Sequence, residues 1–353
     1  MAQDAGWGGW GGGWTPPKPG VIPLGPLRLG DIFNGAFSTL GRYGKQLFAV
    51  GAALYGGALV LVAAAVAVAY SAVSDHLDRL FELDEGESAA SGDVVPVIVA
   101  FGVVVLLGFL ALVIASAVVY AAVPAVLQEA VLGRPTTFSA IWRRAWARTP
   151  AVVGAALLTG LITMVPMVLA MAALTGGIIA AVATDGGGGA VALIVVGAVC
   201  FLAFVPLALW LWVRLSLAPS AAVFENQGPV ASMRRSALLV RGHWWRTCGM
   251  TLLAGMIAAA ASYIIQLPFT FLGMFTGALG GSALDENTHP AAILTALGGY
   301  LVVGVLGQLV SQLIVAVFPP LVTGLLYVDR RIRTEDLAPV LAEAAAVPPR
   351  HPA

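Results

Sequence analysis

Seven arginines and four tryptophans carry the most specific chemistry in this chain of 353 residues: Arg143, Arg144 and Arg148 with Trp142 and Trp146, then Arg234, Arg235, Arg241 and Arg246 with Trp244 and Trp245. A guanidinium presents its N–H donors in a planar fork that matches a phosphate, and an indole ring settles at the level of lipid headgroups. Interleaved, the two residue types suit an anionic lipid surface, each cation near that surface contributing about 1 kcal/mol. The bland alternative is that these charges only set the orientation of the chain across a membrane.

A second set is polar in apolar surroundings: Arg214, Gln266, Gln308 and Gln312, with Tyr263 and Ser311 close by in sequence. Unpaired polar groups in hydrocarbon cost several kcal/mol each, so the amides are expected to face the bundle. There they would serve as hydrogen bonds between helices or as a polar path for a solute or headgroup. Arg214 alone interrupts the apolar run 188–224. It is expected to reach a lipid phosphate or Glu129, and to matter structurally more than any other single charge.

Catalytic patterns are missing. His76, His243, His289 and His351 are scattered with no pair at ligand spacing, and Cys200 and Cys248 lie among apolar residues as free thiols. HExxH, GxSxG and the P-loop pattern do not occur. The acids Asp75, Asp78, Glu82, Asp84, Glu85, Glu87 and Asp93 can bind a divalent cation or simply be solvated, and GGGG at 186–189 reads as a flexible hairpin tip. The sequence therefore predicts a non-enzymatic protein without cofactor or metal, whose partners are anionic membrane lipids, other proteins or a second copy of itself. Nucleic acid is not indicated by the charge distribution.

The elements that position these residues are long and apolar. Hydrophobic residues make up 59% of the chain and charged residues 10%, against roughly 25% charged in soluble domains, which excludes a water-exposed globule. Six apolar runs lie at 47–74, 94–127, 150–183, 188–224, 248–280 and 290–328. Each exceeds the ~20 residues that cross a hydrocarbon core of about 30 Å. Of the 18 Lys and Arg, 17 fall on one side of these runs with 8 acids, leaving Arg79 and 10 acids on the other. By the positive-inside rule both ends of the chain are cytoplasmic.

Each odd-numbered run follows a segment of helical periodicity. Ile32, Phe33, Ala36, Phe37 and Leu40 share a face with Asp31 as cap; Phe138, Ile141, Trp142, Ala145 and Trp146 share another with Thr136 or Thr137 as cap; Val230, Met233, Ala237 and Val240 form the third, ending at Gly242. WRRAWART at 142–149 aligns with VRGHWWRT at 240–247, and Pro124, Pro219 and Pro319-Pro320 in the even runs are each followed by an acid, Glu129, Glu225 or Asp329. The reading is an all-α polytopic membrane protein: six transmembrane helices in three parallel hairpin repeats, each preceded by a cytoplasmic amphipathic interfacial helix. Interior prolines predict kinks in spans three, four and five. Residues 1–24 read as a disordered Gly/Trp/Pro-rich tail without a cleavable signal, 25–336 as the membrane domain and 337–353 as a C-terminal tail.

PGVIPLGPLRLGDIFNGAFSTLGRY at 19–43, LWVRLSLAPSAAVFE at 211–225, ALLVRGHWWRT at 237–247 and LLYVDRRIRTEDL at 325–337 resemble the bacterial glycerophosphoryl diester phosphodiesterase membrane-domain family. The resemblance implies a six-span domain of a bacterial plasma membrane with no defined activity of its own. The catalytic barrel of the members that give the family its name is absent, so their activity is not implied. The functional expectation is a scaffold or accessory factor in an envelope process acting through the basic helices. The alternative is a transporter or lipid-handling protein that uses the kinked spans and the glutamines.

Overall fold

The computed structural model describes residues 18–81, 90–183, 188–281 and 290–346, without the side chains of 276–301 and a few isolated positions. The leader up to residue 17, the acids from Glu82 to Glu87, most of the 186–189 tip and residues 347–353 lie outside the described residues. Among the described residues every regular element is a helix: α1 Leu29–Phe81, α2 Ser91–Val131, α3 Phe138–Ala183, α4 Gly188–Leu215, α5 Ala218–Phe224, α6 Pro229–Val240, α7 Trp244–Gly281, α8 Pro290–Glu335 and α9 Leu337–Ala346. Six helical stretches, in α1, α2, α3, α4 with α5, α7 and α8, are long and apolar enough to cross a membrane.

The helices are longer than a bilayer requires, and burial explains the excess. In α2, large apolar side chains from Val95 to Ile114 are exposed, whereas Ala115 to Val131 is mostly buried. The exposed stretch rises about 30 Å at 1.5 Å per residue, one hydrocarbon thickness. The same division recurs in α3, exposed from Leu157 to Ile179, and in α4, exposed from Val191 to Trp212. The molecule thus has a densely packed base at its basic end and apolar arms toward its acidic end. The most extensive contacts join α7 with α8, α3 with α4, and α1 with α2, and the buried core in the base is what ties these pairs together.

The amphipathic segments are built in two ways. The first two are the opening turns of α1 and α3, continuous with their spans: α1 runs on through Gly41 and Gly44, and α3 through Pro150, without a break. The third is a separate helix, α6, closed at Gly242 with φ 80°, the left-handed conformation that glycine adopts without steric cost. Thr137 caps α3 by accepting a hydrogen bond from the Ala140 amide at 3.4 Å. Asp31 acts from inside the first turn of α1, accepting from the Arg28 amide at 2.8 Å, the reciprocal half of a capping box rather than the cap itself. Helices α3, α4 and α7 run through Pro166, Pro206 and Pro268 as unbroken elements. Pro219 instead stands at a break, in the first turn of α5 after the turn at Ser216–Leu217.

Both ends of the domain extend further than the sequence indicates. Val21, Ile22 and Leu24, assigned to a disordered tail, are buried against the base, and the Val21 amide donates to the Ala130 carbonyl at 3.1 Å. Leu337 and Leu341 of α9 pack on the same core, and Arg134 Nη2 donates to the Ala344 carbonyl at 2.7 Å.

Candidate functional site

The base is held by a buried polar network that gathers four distant segments. Asp329, 0% exposed, accepts from the Leu27 amide at 2.8 Å, Arg246 Nη1 at 2.7 Å and Arg333 Nε at 2.9 Å. The other arms of the same two guanidiniums donate to the Leu27 carbonyl at 2.8 and 2.7 Å. Arg330, 1% exposed, donates through Nε to the Leu239 carbonyl at 3.1 Å, while its Nη1 has no partner. Two guanidiniums therefore clamp one carboxylate, whose charge also acts on Arg330. A buried carboxylate is tolerated only when charge and hydrogen bonds replace its water, and here all three donors are fixed by helices or by the extended segment 18–28.

A second hub lies beside it. Glu225 accepts from Arg235 Nε at 2.8 Å, from the Tyr327 hydroxyl, and from Gln227 Nε2 at 2.9 Å. Glu335 accepts from Arg235 Nη2 and, at 2.8 Å, from Arg331 Nε. Burial works against the Arg235 charge, but Glu225 and Glu335 outweigh it and hold its pKa above that of an ordinary arginine. Each acid that follows an even-run proline reaches forward along the chain or closes it: Glu129 pairs with Arg144 of α3 at 3.0 Å, Glu225 with Arg235 of α6, and Asp329 returns to Leu27 before α1.

The seven arginines singled out by sequence divide accordingly. Arg144, Arg235 and Arg246 are paired with carboxylates. Arg143, Arg234 and Arg241 are exposed and Arg148 is half-buried, with no acidic partner among the described residues. The tryptophans divide too: Trp142 stacks on Phe138 and meets Trp146 edge-on, and Trp244 donates to the Trp210 carbonyl at 3.3 Å, whereas Trp245 is 82% exposed.

Arg214 does not meet Glu129, which is taken by Arg144. Its guanidinium lies over the Trp210 ring, 4.8 Å from the centroid. The glutamines also separate. Gln266 Oε1 accepts from Ser311 at 3.0 Å, joining α7 to α8, and Gln312 sits beside Tyr55, which is bonded to Ser116 at 3.1 Å. Gln308, expected to face the bundle, is on the exposed surface of α8. At the acidic end, Arg79 and His76 both contact Asp93 at 2.8 Å, tying α1 to α2.

Where base and arms meet, α2, α3, α4–α5, α7 and α8 line a half-open chamber of about 350 Å³. Its wall includes the prolines Pro124, Pro219, Pro319 and Pro320 and the hydroxyls of Tyr120, Thr159, Thr163, Ser216, Ser220, Thr251 and Thr323. None of the four glutamines or arginines read from sequence as intramembrane sites lines it. Hydroxyls at i and prolines in Ala- and Val-rich helices give little signal in a single sequence, because Ser and Thr are also routine helix-packing residues.

The family model described as a domain of unknown function, DUF7847, matches residues 27–329, so its ends fall on the two residues, Leu27 and Asp329, that meet in the base. Nothing in that match links the chain to the phosphodiesterase membrane domains its motifs resemble. No curated protein and no solved structure matches the chain.

Proposed function

The chain belongs to the DUF7847 family of unknown function, and from that premise we propose that it is a non-enzymatic integral protein of a bacterial plasma membrane. Its base lies on the cytoplasmic side, and it serves as a scaffold or accessory factor that engages anionic lipid of the inner leaflet. The observation that carries this reading is the division of the basic residues. The internal network consumes Glu225, Asp329 and Glu335, and Arg143, Arg148, Arg234 and Arg241 have no acidic partner among the described residues, at the same end as the exposed Trp146 and Trp245. Charge left unneutralised beside interfacial indoles is the composition that binds anionic headgroups. The alignment of 142–149 with 240–247 and the forward pairing of Glu129 with Arg144 and of Glu225 with Arg235 support three head-to-tail repeats around an axis along the membrane normal.

The alternative of a solute path along the glutamines is less favoured, because Gln266 is occupied between α7 and α8 and Gln308 faces outward. The test is lipid retained by the purified full chain, measured by native mass spectrometry. The variant Arg143→Glu/Arg234→Glu/Arg241→Glu should lose anionic phospholipid with a weakening of up to about 100-fold, from about 1 kcal/mol per cation. Equal retention of anionic and zwitterionic lipid by wild type and variant refutes the electrostatic reading.

A further inference from the structure

The chamber between base and arms is not used by the basic-surface reading, and its chemistry is different. Apart from the Tyr120 phenol its wall holds no acid or base. The hydroxyls of Thr163, Ser216, Thr251 and Thr323 already donate to carbonyls of their own helices, at 2.8, 2.8, 2.8 and 3.2 Å. What they offer inward is therefore oxygen lone pairs. The hydroxyls of Tyr120, Thr159 and Ser220 have no hydrogen-bond partner among the described residues, all three residues line the space, and Ser220 is 2% exposed. Pro124 removes the amide that would otherwise occupy the Tyr120 carbonyl, adding a further free acceptor on the same turn of α2. A buried hydroxyl without a partner is costly unless something polar occupies the adjoining space.

The chamber continues into an apolar groove of about 340 Å³ between α2 and α3, with which it shares Tyr120, Ala156 and Pro219. That groove is lined by Leu112, Val113 and Leu157 and runs along the exposed arms. A mostly apolar pocket that carries a cluster of hydroxyl acceptors and no charge, at the inner end of a wholly apolar trough, has the shape of an amphiphile. A charged headgroup would enter without a countercharge on the wall, which disfavours it in apolar surroundings. At about 30 Å³ per water the chamber holds on the order of ten waters, room for a small polyol and not for a large glycan.

We propose that this chamber and groove form a binding site for an uncharged, hydroxyl-bearing lipid, its hydroxyls donating to the Ser/Thr oxygens and its acyl chain lying between α2 and α3. The probe is monooleoylglycerol carrying a diazirine in the chain, added to the purified full chain in detergent, with oleate and lysophosphatidylcholine bearing the same diazirine as charged and zwitterionic comparisons. Saturable labelling by the monoacylglycerol at one per chain, mapped to 112–120 and 152–164 and not matched by the other two probes, is the expected result. Ser220→Ala and Thr159→Val should each weaken it about fivefold, the loss of one hydrogen bond of about 1 kcal/mol. Ala156→Trp, at an exposed position on the wall of both spaces, should abolish it while leaving the elution profile and thermal stability unchanged. Non-saturable labelling, equal labelling by oleate, or labelling indifferent to Ser220→Ala and Thr159→Val overturns the proposal. The charge-reversal variant of the basic surface should label like wild type, so the two readings fail separately.

Discussion

Replacing Asp329 by asparagine tests whether the base is held as the geometry indicates. The change is nearly isosteric and removes only charge and one acceptor. An asparagine oxygen can keep the Leu27 amide, but its NH₂ group would then confront Arg246, which now donates at 2.7 Å. Arg246, Arg330 and Arg333 would be left around an uncharged side chain in a site where position 329 is 0% exposed. Orphaning one side of a buried ion pair costs about 3–5 kcal/mol. Since each kcal/mol lowers Tm by roughly 2–4 °C in domains of 150–250 residues and by less in longer chains, the expected fall is roughly 5–10 °C. The assay is thermal unfolding of the full chain in one detergent, read by the survival of the monodisperse peak on size exclusion, with the exposed Glu343→Gln as control. The double variant Asp329→Asn/Arg246→Met should recover part of the loss, because the second change removes the charge the first one orphaned. A Tm for Asp329→Asn within about 1 °C of wild type would refute the network as a structural hub.

Three further outcomes follow from the same structure. Arg214→Lys should be close to neutral and Arg214→Leu should cost about 0.5–1 kcal/mol, the worth of an exposed stack such as that on Trp210; a larger fall than that of Asp329→Asn in the same thermal assay would restore Arg214 to the first rank. Gly20→Ala should lower Tm by several degrees and expose residues 18–28 to protease, because its Cβ would stand 2.1 Å from the Ala130 carbonyl oxygen and 2.4 Å from that of Val131; wild-type protease resistance would show that the extended segment is not docked. In a Cys200→Ala/Cys248→Ala background, a cysteine at Glu85 should react with an impermeant thiol reagent on intact cells and one at Arg234 should not, and the reverse pattern would invert the proposed orientation.

The membrane-spanning helices were legible because length and hydropathy are local properties, and Gly242 and Thr137 were legible because caps need particular residue types at particular positions. The depth of the base was not. Nothing in the apolar run of α2 separates Ile114, exposed, from Val118, buried, since lipid and protein interior select the same side chains. The hubs were hidden for another reason. Glu225 and Asp329 stand out in sequence only as acids after prolines, and the partner that fixes Asp329 is the backbone of Leu27, 302 positions away. A backbone amide has no residue type to reveal it. The glutamines drew attention because they are rare in apolar spans, whereas the chamber is walled by hydroxyls that blend into the composition.

The bond between Leu27 and Asp329 also orders events in time. At elongation rates of about 5–20 residues per second, the 302 positions between them take roughly 15–60 s to synthesise. Throughout that interval the segment ahead of α1 has been made and its carboxylate has not. Five spans must be threaded before the acid that receives Arg246 exists, so until then residues 20–22 have α2 to dock on, through Ala130 and Val131, while the Leu27 amide lacks its carboxylate. The final turns of α8 therefore complete the base: a chain read through Asp329 gains the carboxylate that joins the Leu27 amide to Arg246 and Arg333.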